Sequence, residues 1–324
     1  METTRAIIER TGGPEAISWI TEDLGAPAPG EVTIEHGAIG LNFIDIYHRE
    51  GVYPLDLPSG LGMEAAGRVV AVGSQVSGIS EGDRVATMLP PLGAYATARN
   101  ISADLVMPVP DGIDDRLAAA AILKGCTAEF LVERCARVTA GSTVLVHAAA
   151  GGVGQLLVQW LKHLDVRVIA TASAAKTGLA EQAGADAVID YSNEDVAERV
   201  ADLTAGAGVA TVFDGVGQAT WKASLGSLSR FGLLVSFGNA SGSVTGVDLS
   251  ELAGAGSLFV TRPTLMHYCA AKADRDASAA RVWEMFANGA LDVRIGQTYA
   301  LQDAAKAQRD LAARKTTGST VLVP

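Results

Sequence analysis

The residues with the clearest chemistry in this sequence form a glycine turn, "HAAAGGVG", at 147–154. The turn follows an apolar run, "TVLVH", and precedes "QLLVQWLKHL", in which Leu156, Trp160 and Leu164 share one helical face. A strand, a glycine turn and a helix together predict a dinucleotide site, because free N–H groups at the helix start bind the pyrophosphate. In this register Gly151 lets the backbone approach the anion, and Gly154 lets the helix pack tightly on the strand.

This segment admits two other interpretations. A membrane-spanning helix needs about 20 mostly apolar residues, whereas 145–164 contains three glycines, two glutamines, two histidines and a lysine. We therefore expect no membrane crossing here. A glycine turn without a ligand is the other alternative, and it is disfavoured because six predicted strands alternate with helices around the turn.

The residues at the end of the next predicted strand favour NADPH over NADH. A site for NAD usually has Asp or Glu roughly 20 residues beyond the turn, where it binds the ribose hydroxyls. Here the strand ends "VIATASAAK", so Ser173 and Lys176 stand at its tip, and Tyr191 ends the following strand. A lysine with two hydroxyl donors attracts a 2′-phosphate, which a carboxylate would repel. The alternative for Lys176 is an exposed lysine at a helix start.

Strand patterns change character along the chain. Before about residue 120, segments such as "EVTIEHGAIGLN" and "AAGRVVAVG" lie between turns and hold most of the 11 prolines, which predicts an irregular β-rich domain. After a helix capped by Asp114, six strands alternate with helices and predict a doubly wound parallel sheet of the α/β class. These strands are "TVLVH", "VRVIAT", "DAVIDY", "ATVFDG", "FGLLVSFG" and "SLFVT". Two amphipathic helices follow residue 267, and the last strand, "GSTVLVP", should return to the first domain.

One helix of this sheet can be predicted in detail. In "NEDVAERVADLTAG" at 193–206, Val196, Val200 and Leu203 fall on one face. Asn193 is the predicted cap at its start, and Gly206 is the predicted end.

Composition and charge limit the partners and the compartment. The 324 residues suit two domains of ordinary size. A net charge of −11 argues against nucleic acid or an anionic membrane as the main partner. The first residues, "METTRAIIERTGGPEA", lack the apolar centre of a secretory signal, and three scattered cysteines form no disulfide framework. A cytoplasmic location is therefore expected.

Several motifs together resemble one family, the zinc-independent, zeta-crystallin-like quinone oxidoreductases of the medium-chain dehydrogenase/reductase superfamily. The similarity covers essentially the whole chain, and its markers include "AIGLNFIDIYHREGVYP" at 38–54, "LPSGLGMEAAGRV" at 57–69, "LKGCTA" at 123–128, "VSFGNASG" at 235–242, "VTRPTL" at 260–265 and "RKTTGSTVL" at 314–322. The resemblance implies a GroES-like β-rich catalytic domain of residues 1–123 and 267–324 around a Rossmann domain of residues 124–266. It also implies a homodimer that forms edge to edge between Rossmann sheets.

The resemblance implies a site without metal. Zinc-dependent relatives supply a cysteine and a histidine where this chain has Asn42 and Met63, and the four-cysteine lobe of those relatives is missing as well. A catalytic zinc needs three protein ligands with good geometry. His147 is expected to be a hydrogen-bonded core residue rather than a ligand.

Matching the family residue by residue implies the roles of individual side chains. Asn42, Tyr47 and Tyr53 are the implied catalytic residues, although the two tyrosines could equally be packed aromatic side chains. Arg314 could equally be a surface charge. The cofactor-binding residues inferred from the turn, the strand ends and the match are Phe43, Thr127, Ala150, Gly151, Gly152, Val153, Gly154, Ser173, Lys176, Tyr191, Val216, Phe237, Gly238, Asn239, Ser241, Pro263 and Arg314.

The expected function is NADPH-dependent reduction of small quinones, without a metal, in a cleft between the two domains. A quinone needs little activation because it becomes aromatic on reduction, so positioning of the two rings supplies much of the rate. The enzymatic alternative is reduction of the C=C bond of enals or enoyl thioesters. The non-enzymatic alternative is a structural or RNA-binding zeta-crystallin-like protein, which the intact glycine turn and the acidic charge disfavour.

Overall fold

The computed structural model describes residues 1–324. Its strands are β1 (Glu2–Ile7), β2 (Ser18–Asp23), β3 (Glu31–Leu41), β4 (Glu64–Val72), β5 (Arg84–Thr87), β6 (Ala98–Ser102), β7 (Met107–Pro108), β8 (Thr143–Val146), β9 (Arg167–Ala172), β10 (Ala187–Asp190), β11 (Val209–Asp214), β12 (Leu228–Ser236), β13 (Phe259–Thr261), β14 (Ile295–Ala300) and β15 (Ser319–Val323). Its helices are α1 (Phe43–Glu50), α2 (Asp115–Glu129), α3 (Gly152–His163), α4 (Thr177–Gln182), α5 (Val196–Leu203), α6 (Trp221–Ser227), α7 (Leu249–Gly254), α8 (Leu265–Tyr268), α9 (Lys272–Ala287) and α10 (Ala304–Ala312).

The chain divides into two compact units. The first unit comprises residues 1–124, 271–283 and 293–324, and the second comprises residues 125–270 and 284–292. This division differs from the predicted domains at residue 124, which falls in the first unit, and at residues 267–270 and 284–292, which fall in the second. None of the helices has the length and apolar character that crossing a membrane requires.

The first unit is rich in antiparallel strands, as its turn-rich sequence predicts. A seven-stranded sheet has the order β14-β15-β3-β4-β5-β7, with β6 also paired to β3, and β1 pairs with β2 in a separate hairpin. The predicted return of the last strand is confirmed, because β15 pairs antiparallel with β3. Apolar side chains of β3, β4 and β5, among them Ile34, Val69 and Val85, form a buried core.

The second unit is a six-stranded parallel sheet in the order β10-β9-β8-β11-β12-β13. All six predicted strands are present, and helices connect them as expected for a doubly wound sheet. Leu145, Ile169 and Val212 of the central strands are fully buried in its core. The predicted α/β class, with a β-rich unit and a Rossmann sheet, is confirmed.

The local predictions hold with three corrections, the first of which is that α5 ends at Leu203, with Thr204 as its C-cap, rather than at Gly206. Asp114 caps α2, since its carboxylate accepts a hydrogen bond from the Leu117 amide at 2.7 Å. The cap of α5 is Asp195 rather than Asn193, because Asp195 is nearer the helix and accepts from Glu198 N at 3.0 Å. Helix α3 ends at His163, so the predicted face residue Leu164 is its half-buried C-cap.

Candidate active site

The predicted cofactor residues of the second unit share one location. All of them except Thr127, which lies near the end of α2, follow the carboxyl end of a strand of the parallel sheet. Because the carboxyl ends of parallel strands meet at one edge, the structure brings these residues to the same edge. They are 150–154 after β8, Ser173 and Lys176 after β9, Tyr191 after β10, Val216 after β11, Phe237, Gly238, Asn239 and Ser241 after β12, and Pro263 after β13.

The glycine loop has the geometry that an anion site requires. Gly151 is exposed and caps α3, a helix of 12 residues whose first N–H groups have no partner within the helix. Gly154 lies against the turn that follows β8, because a Cβ atom there would fall 2.7 Å from Ala149 Cα. The loop bends at Ala148, whose φ is 52°, and Ala148 O accepts from Gly151 N at 3.0 Å. These residues fit a bound pyrophosphate in the way the sequence predicts.

The turns after β11 and β12 support each other. Ser241 donates from both its amide and its hydroxyl to Val216 O, each at 2.8 Å. A Cβ atom at Gly238 would clash with the backbone of Gly215, so this close approach needs glycine. Val216 and Ser241, which are far apart in sequence, are therefore held together at the sheet edge.

The tips of β9 and β10 carry the groups proposed to recognise a 2′-phosphate. Ser173 and Lys176 are half-buried around a short 3₁₀ turn, Ala174–Lys176, and Tyr191 is exposed. One acid that the sequence argument overlooked, Asp190, ends β10. Its carboxylate accepts from Ser192 N at 3.0 Å and from Asn193 Nδ2 at 2.6 Å, and these donors lower the pKa of Asp190. The acid thus stabilises its own turn.

In the first unit, the predicted aromatic residues gather on α1 and the loop after it. The Phe43 and Tyr47 ring centroids are 6.1 Å apart. Those of Tyr47 and Tyr53 are 5.5 Å apart in an edge-on arrangement. Arg314 is exposed in the segment between α10 and β15 and has a φ of 58°. The structure thus brings Phe43, Tyr47 and Tyr53 together.

Asn42 belongs to a buried polar cluster that sequence reasoning did not find. Its Nδ2 donates to Glu64 Oε2 at 2.8 Å, and the same oxygen accepts from Lys124 Nζ at 2.9 Å. Glu64 Oε1 accepts from Leu123 N at 2.7 Å. Both Glu64 and Lys124 are buried, so the cluster holds one charge of each sign away from water. The motifs "GME" and "LKGCTA" contain these residues, but nothing in the sequence indicates that they touch.

A second buried carboxylate lies beside this cluster. Asp45 Oδ2 accepts from Asn42 N at 2.9 Å and from Tyr95 OH at 3.0 Å. Burial raises the pKa of Asp45 to about 7, although these two hydrogen bonds favour the charged form. Asn42 is therefore fixed from both sides, by Glu64 at its side chain and by Asp45 at its backbone.

A β-rich unit with a Rossmann sheet inserted in it, and a glycine loop after the sheet's first strand, define a medium-chain dehydrogenase/reductase. Comparison with known proteins agrees. The family model of the alcohol dehydrogenase GroES-like domain matches residues 28–132, and that of zinc-binding dehydrogenases matches residues 152–285.

Individual relatives show which family within this superfamily the chain belongs to. The quinone oxidoreductase of Pseudomonas aeruginosa is 49% identical over 97% of this chain and 97% of its own. The solved structure of Escherichia coli quinone oxidoreductase complexed with NADPH is 43% identical, has a TM-score of 0.97, and covers 99% of this chain and 100% of that one. The 2-haloacrylate reductase of a Burkholderia species is 39% identical over 98% of both chains. The chain belongs to the quinone oxidoreductase family.

The name of one matching family model implies zinc, and the residues at the corresponding positions do not fit it. Asn42 offers an amide, Met63 is a fully buried thioether, and the Glu64 carboxylate is already held by three donors, one of them the Lys124 ammonium. No three His, Cys, Asp or Glu side chains converge anywhere in the structure. A zinc ion prefers four ligands from Cys, His and carboxylate groups.

Proposed function

We propose that this chain catalyses the NADPH-dependent reduction of small quinones without a metal. The observation that carries the proposal is the glycine loop at the edge of the parallel sheet, in a chain whose full length is similar to quinone oxidoreductases. When bound, NADPH supplies the electrons from its nicotinamide. A quinone accepts them without Lewis-acid activation because its reduced ring is aromatic.

The chain's own residues would bind and orient the cofactor. N–H groups of residues 151–154 bind the pyrophosphate, and Ser173, Lys176 and Tyr191 bind the 2′-phosphate. The other proposed cofactor-binding residues are Phe43 and Arg314 of the first unit and, in the second unit, Thr127, Ala150, Val216, Phe237, Gly238, Asn239, Ser241 and Pro263. The known NADPH complex of the Escherichia coli relative supports the choice of cofactor.

Asn42, Tyr47 and Tyr53 are the proposed catalytic residues. The Tyr47 and Tyr53 hydroxyls can donate a hydrogen bond to the developing quinol oxygen, and their rings offer apolar faces to a flat substrate. The Asn42 amide is kept in one orientation by Glu64. Neutral donors and aromatic faces suit a neutral ring better than a charged acid.

A homodimer is proposed through the edge of the parallel sheet. Strand β13 is the last strand of that sheet, and Phe259 on it is 61% exposed. Phe231 and Val260 add further exposed apolar surface. An unpaired strand edge can pair with another strand, and a large exposed apolar patch marks an interaction surface. The cytoplasmic location and the lack of a nucleic acid partner remain predictions from the sequence.

The experiment that tests the function is an NADPH-oxidation panel on the purified chain. Simple para- and ortho-quinones, enals and enoyl thioesters are each supplied as the acceptor, and the loss of NADPH absorbance is followed. Rapid oxidation with quinones supports the proposal. Oxidation with an enal or a thioester but with none of the quinones would replace it by C=C reduction, which the similarity to a 2-haloacrylate reductase makes the appropriate comparison.

A further inference from the structure

A continuous chain of hydrogen bonds runs beneath the loops at the carboxyl edge of the parallel sheet. Its centre is His147, the residue after β8, whose side chain is buried. The Nδ1 atom of His147 lies 3.1 Å from Thr171 Oγ1 on β9, and its Nε2 atom lies 3.1 Å from Ser224 Oγ on α6. The ring therefore bridges a strand and a helix that are 53 positions apart in sequence, counted as 224 − 171.

Each end of this series of hydrogen bonds reaches a loop of the proposed cofactor site. At one end, Thr171 Oγ1 accepts from the amide of Ala148, the positive-φ residue that bends the glycine loop, at 3.3 Å. At the other end, Ser224 Oγ donates to Asp214 Oδ2 at 2.7 Å. Asp214 Oδ1 in turn accepts from the amides of Val216 and Gly217 at 2.8 and 3.0 Å. The chain thus connects the glycine loop with the turn that carries Val216.

The donors and acceptors in this series of hydrogen bonds can be assigned in only one way. Ser224 spends its single hydroxyl hydrogen on the Asp214 carboxylate, which only accepts, so Ser224 Oγ must accept from the Nε2–H group of His147. The other nitrogen of a neutral ring, Nδ1, then accepts from the Thr171 hydroxyl. Thr171 Oγ1 remains able to accept from the Ala148 amide. Burial lowers the pKa of His147, which favours this neutral ring although Asp214 opposes the shift.

We propose that His147 is a positioning residue that couples the glycine loop to the Val216 turn, so that both loops hold the dinucleotide together. The inference rests on the proposed function, because it assigns these two loops to one cofactor. His147 acts through Thr171 and Ser224 and contacts no reacting atom. If His147 were only a packed core residue, loss of the Thr171 hydroxyl and loss of the Ser224 hydroxyl would have independent effects.

A double-mutant cycle on NADPH affinity tests the coupling. Thr171→Val and Ser224→Ala each remove one hydroxyl next to the ring, and each should weaken NADPH binding about three- to tenfold. If His147 couples the loops, the double variant should bind NADPH about as tightly as the weaker-binding single variant, because either change already breaks the chain of hydrogen bonds. In a His147→Phe background this non-additivity should vanish. Multiplicative effects in the presence of His147 would overturn the proposal.

Two controls separate coupling from general damage. Thr171→Ser keeps the hydroxyl and should restore the wild-type affinity. Ser227→Ala removes another buried hydroxyl of α6, one that donates only to Ala223 O of its own helix at 2.7 Å, and it should leave affinity unchanged. Failure of Thr171→Ser to restore binding, or an equal loss in Ser227→Ala, would contradict the role assigned to the chain.

Amide hydrogen exchange on the cofactor-free protein provides a readout that does not depend on the function. Ser224→Ala should speed exchange in a peptide covering 148–154, on the far side of the His147 ring, whereas Ser227→Ala should not. Faster exchange confined to 214–217 would overturn the coupling. If the wild-type chain binds no NADPH, the proposed function fails. If it binds NADPH and the cycle is multiplicative, only the coupling fails.

Discussion

Lys124 Nζ lies 2.9 Å from Glu64 Oε2, and the two side chains are 6% and 0% exposed. This ion pair is joined by Asn42, whose amide donates to the same carboxylate oxygen. A buried charge is tolerated only when its partners remain in place. The pair therefore makes the orientation of Asn42 depend on a lysine 82 positions away, counted as 124 − 42.

Breaking this pair on one side should destabilise the protein strongly. Lys124→Met leaves the Glu64 carboxylate buried without its counter-charge, and we expect a loss of about 3–5 kcal/mol in unfolding free energy. Adding Glu64→Gln should recover part of this loss, because the uncompensated charge is then gone. Equilibrium denaturation measures both effects. Lys272→Met is the control, since it breaks an exposed pair with Asp276 and should cost at most about 1 kcal/mol. Equal losses in the two lysine variants would contradict this account.

Gly154→Ala should impair both folding and cofactor binding. The new Cβ atom would meet the backbone of Ala148 and Ala149, so α3 must move away from the turn after β8, at a cost of about 1–3 kcal/mol. We expect a lower melting temperature and a weaker NADPH affinity by fluorescence titration. Gly178→Ala in α4 is the control, because no atom lies within 4 Å of its Cβ position. A Gly154→Ala variant as stable and as tight-binding as Gly178→Ala would show that the close approach is not needed.

Lys176→Ala should change the choice between cofactors. A charge-assisted contact to a phosphate is worth roughly 1.5–3 kcal/mol, so the Michaelis constant for NADPH should rise about ten- to a hundredfold while that for NADH changes little. Steady-state kinetics with both cofactors measures the difference. The exposed Lys222 of α6 provides the control, and Lys222→Ala should affect neither constant. Equal changes for NADPH and NADH would show that Lys176 does not contact the 2′-phosphate.

Acid should destabilise the first unit through His36. Burial, assisted by the nearby Arg99 charge, lowers the pKa of His36 from 6.5 to about 3. Because the unfolded chain takes up this proton first, the stability from the neutral ring is complete above pH 6.5 and falls between pH 6.5 and about 3. The contribution has a slope of about 1.4 kcal/mol per pH unit. His36→Asn should retain a donor to Ala96 O. Because asparagine does not titrate, this variant should lose stability more slowly than wild type as pH falls. If the melting temperatures of the two proteins fell by the same amount from pH 7 to pH 5, this role would be refuted.

The proposed dimer can be tested at its exposed strand. Phe259→Glu places a charge on β13 and should shift the chain from dimer to monomer in light scattering. Leu57→Glu alters a partly exposed apolar residue of the first unit and should leave the assembly unchanged. A wild-type chain that is monomeric, or a Phe259→Glu variant that remains dimeric, would remove the support for this edge.

The sequence predicts the fold correctly where a single pattern, such as apolar periodicity or proline-rich turns, dominates a segment. Six apolar runs separated by helical spacing predict the parallel sheet, and proline-rich turns predict the irregular β-rich unit. The cap of α5 was misplaced because Asn193 and Asp195 are both good caps. The structure settles the choice, since the Asn193 amide donates instead to Asp190 Oδ2.

The candidate site was only partly readable from the sequence. The glycine loop is contiguous, so its residues could be named with their roles, and all strand-end residues do lie at one edge. The cluster around Asn42 could not be derived, because Glu64 and Lys124 meet Asn42 only through the pairing of β3 with β4 and the return of α2. The link from Thr171 to Asp214 was hidden for the same reason: its four side chains come from β9, the turn after β8, α6 and β11.

The most direct test of the central claim is a product balance under anaerobic conditions. The purified chain, NADPH and a simple quinone are mixed, and NADPH consumption and quinol formation are measured in the same sample. We expect quinol to form in equimolar amount to the NADPH consumed, and chelation of metals should not slow the reaction. Absence of quinol while an enal is reduced by NADPH under the same conditions would contradict quinone reduction as the function.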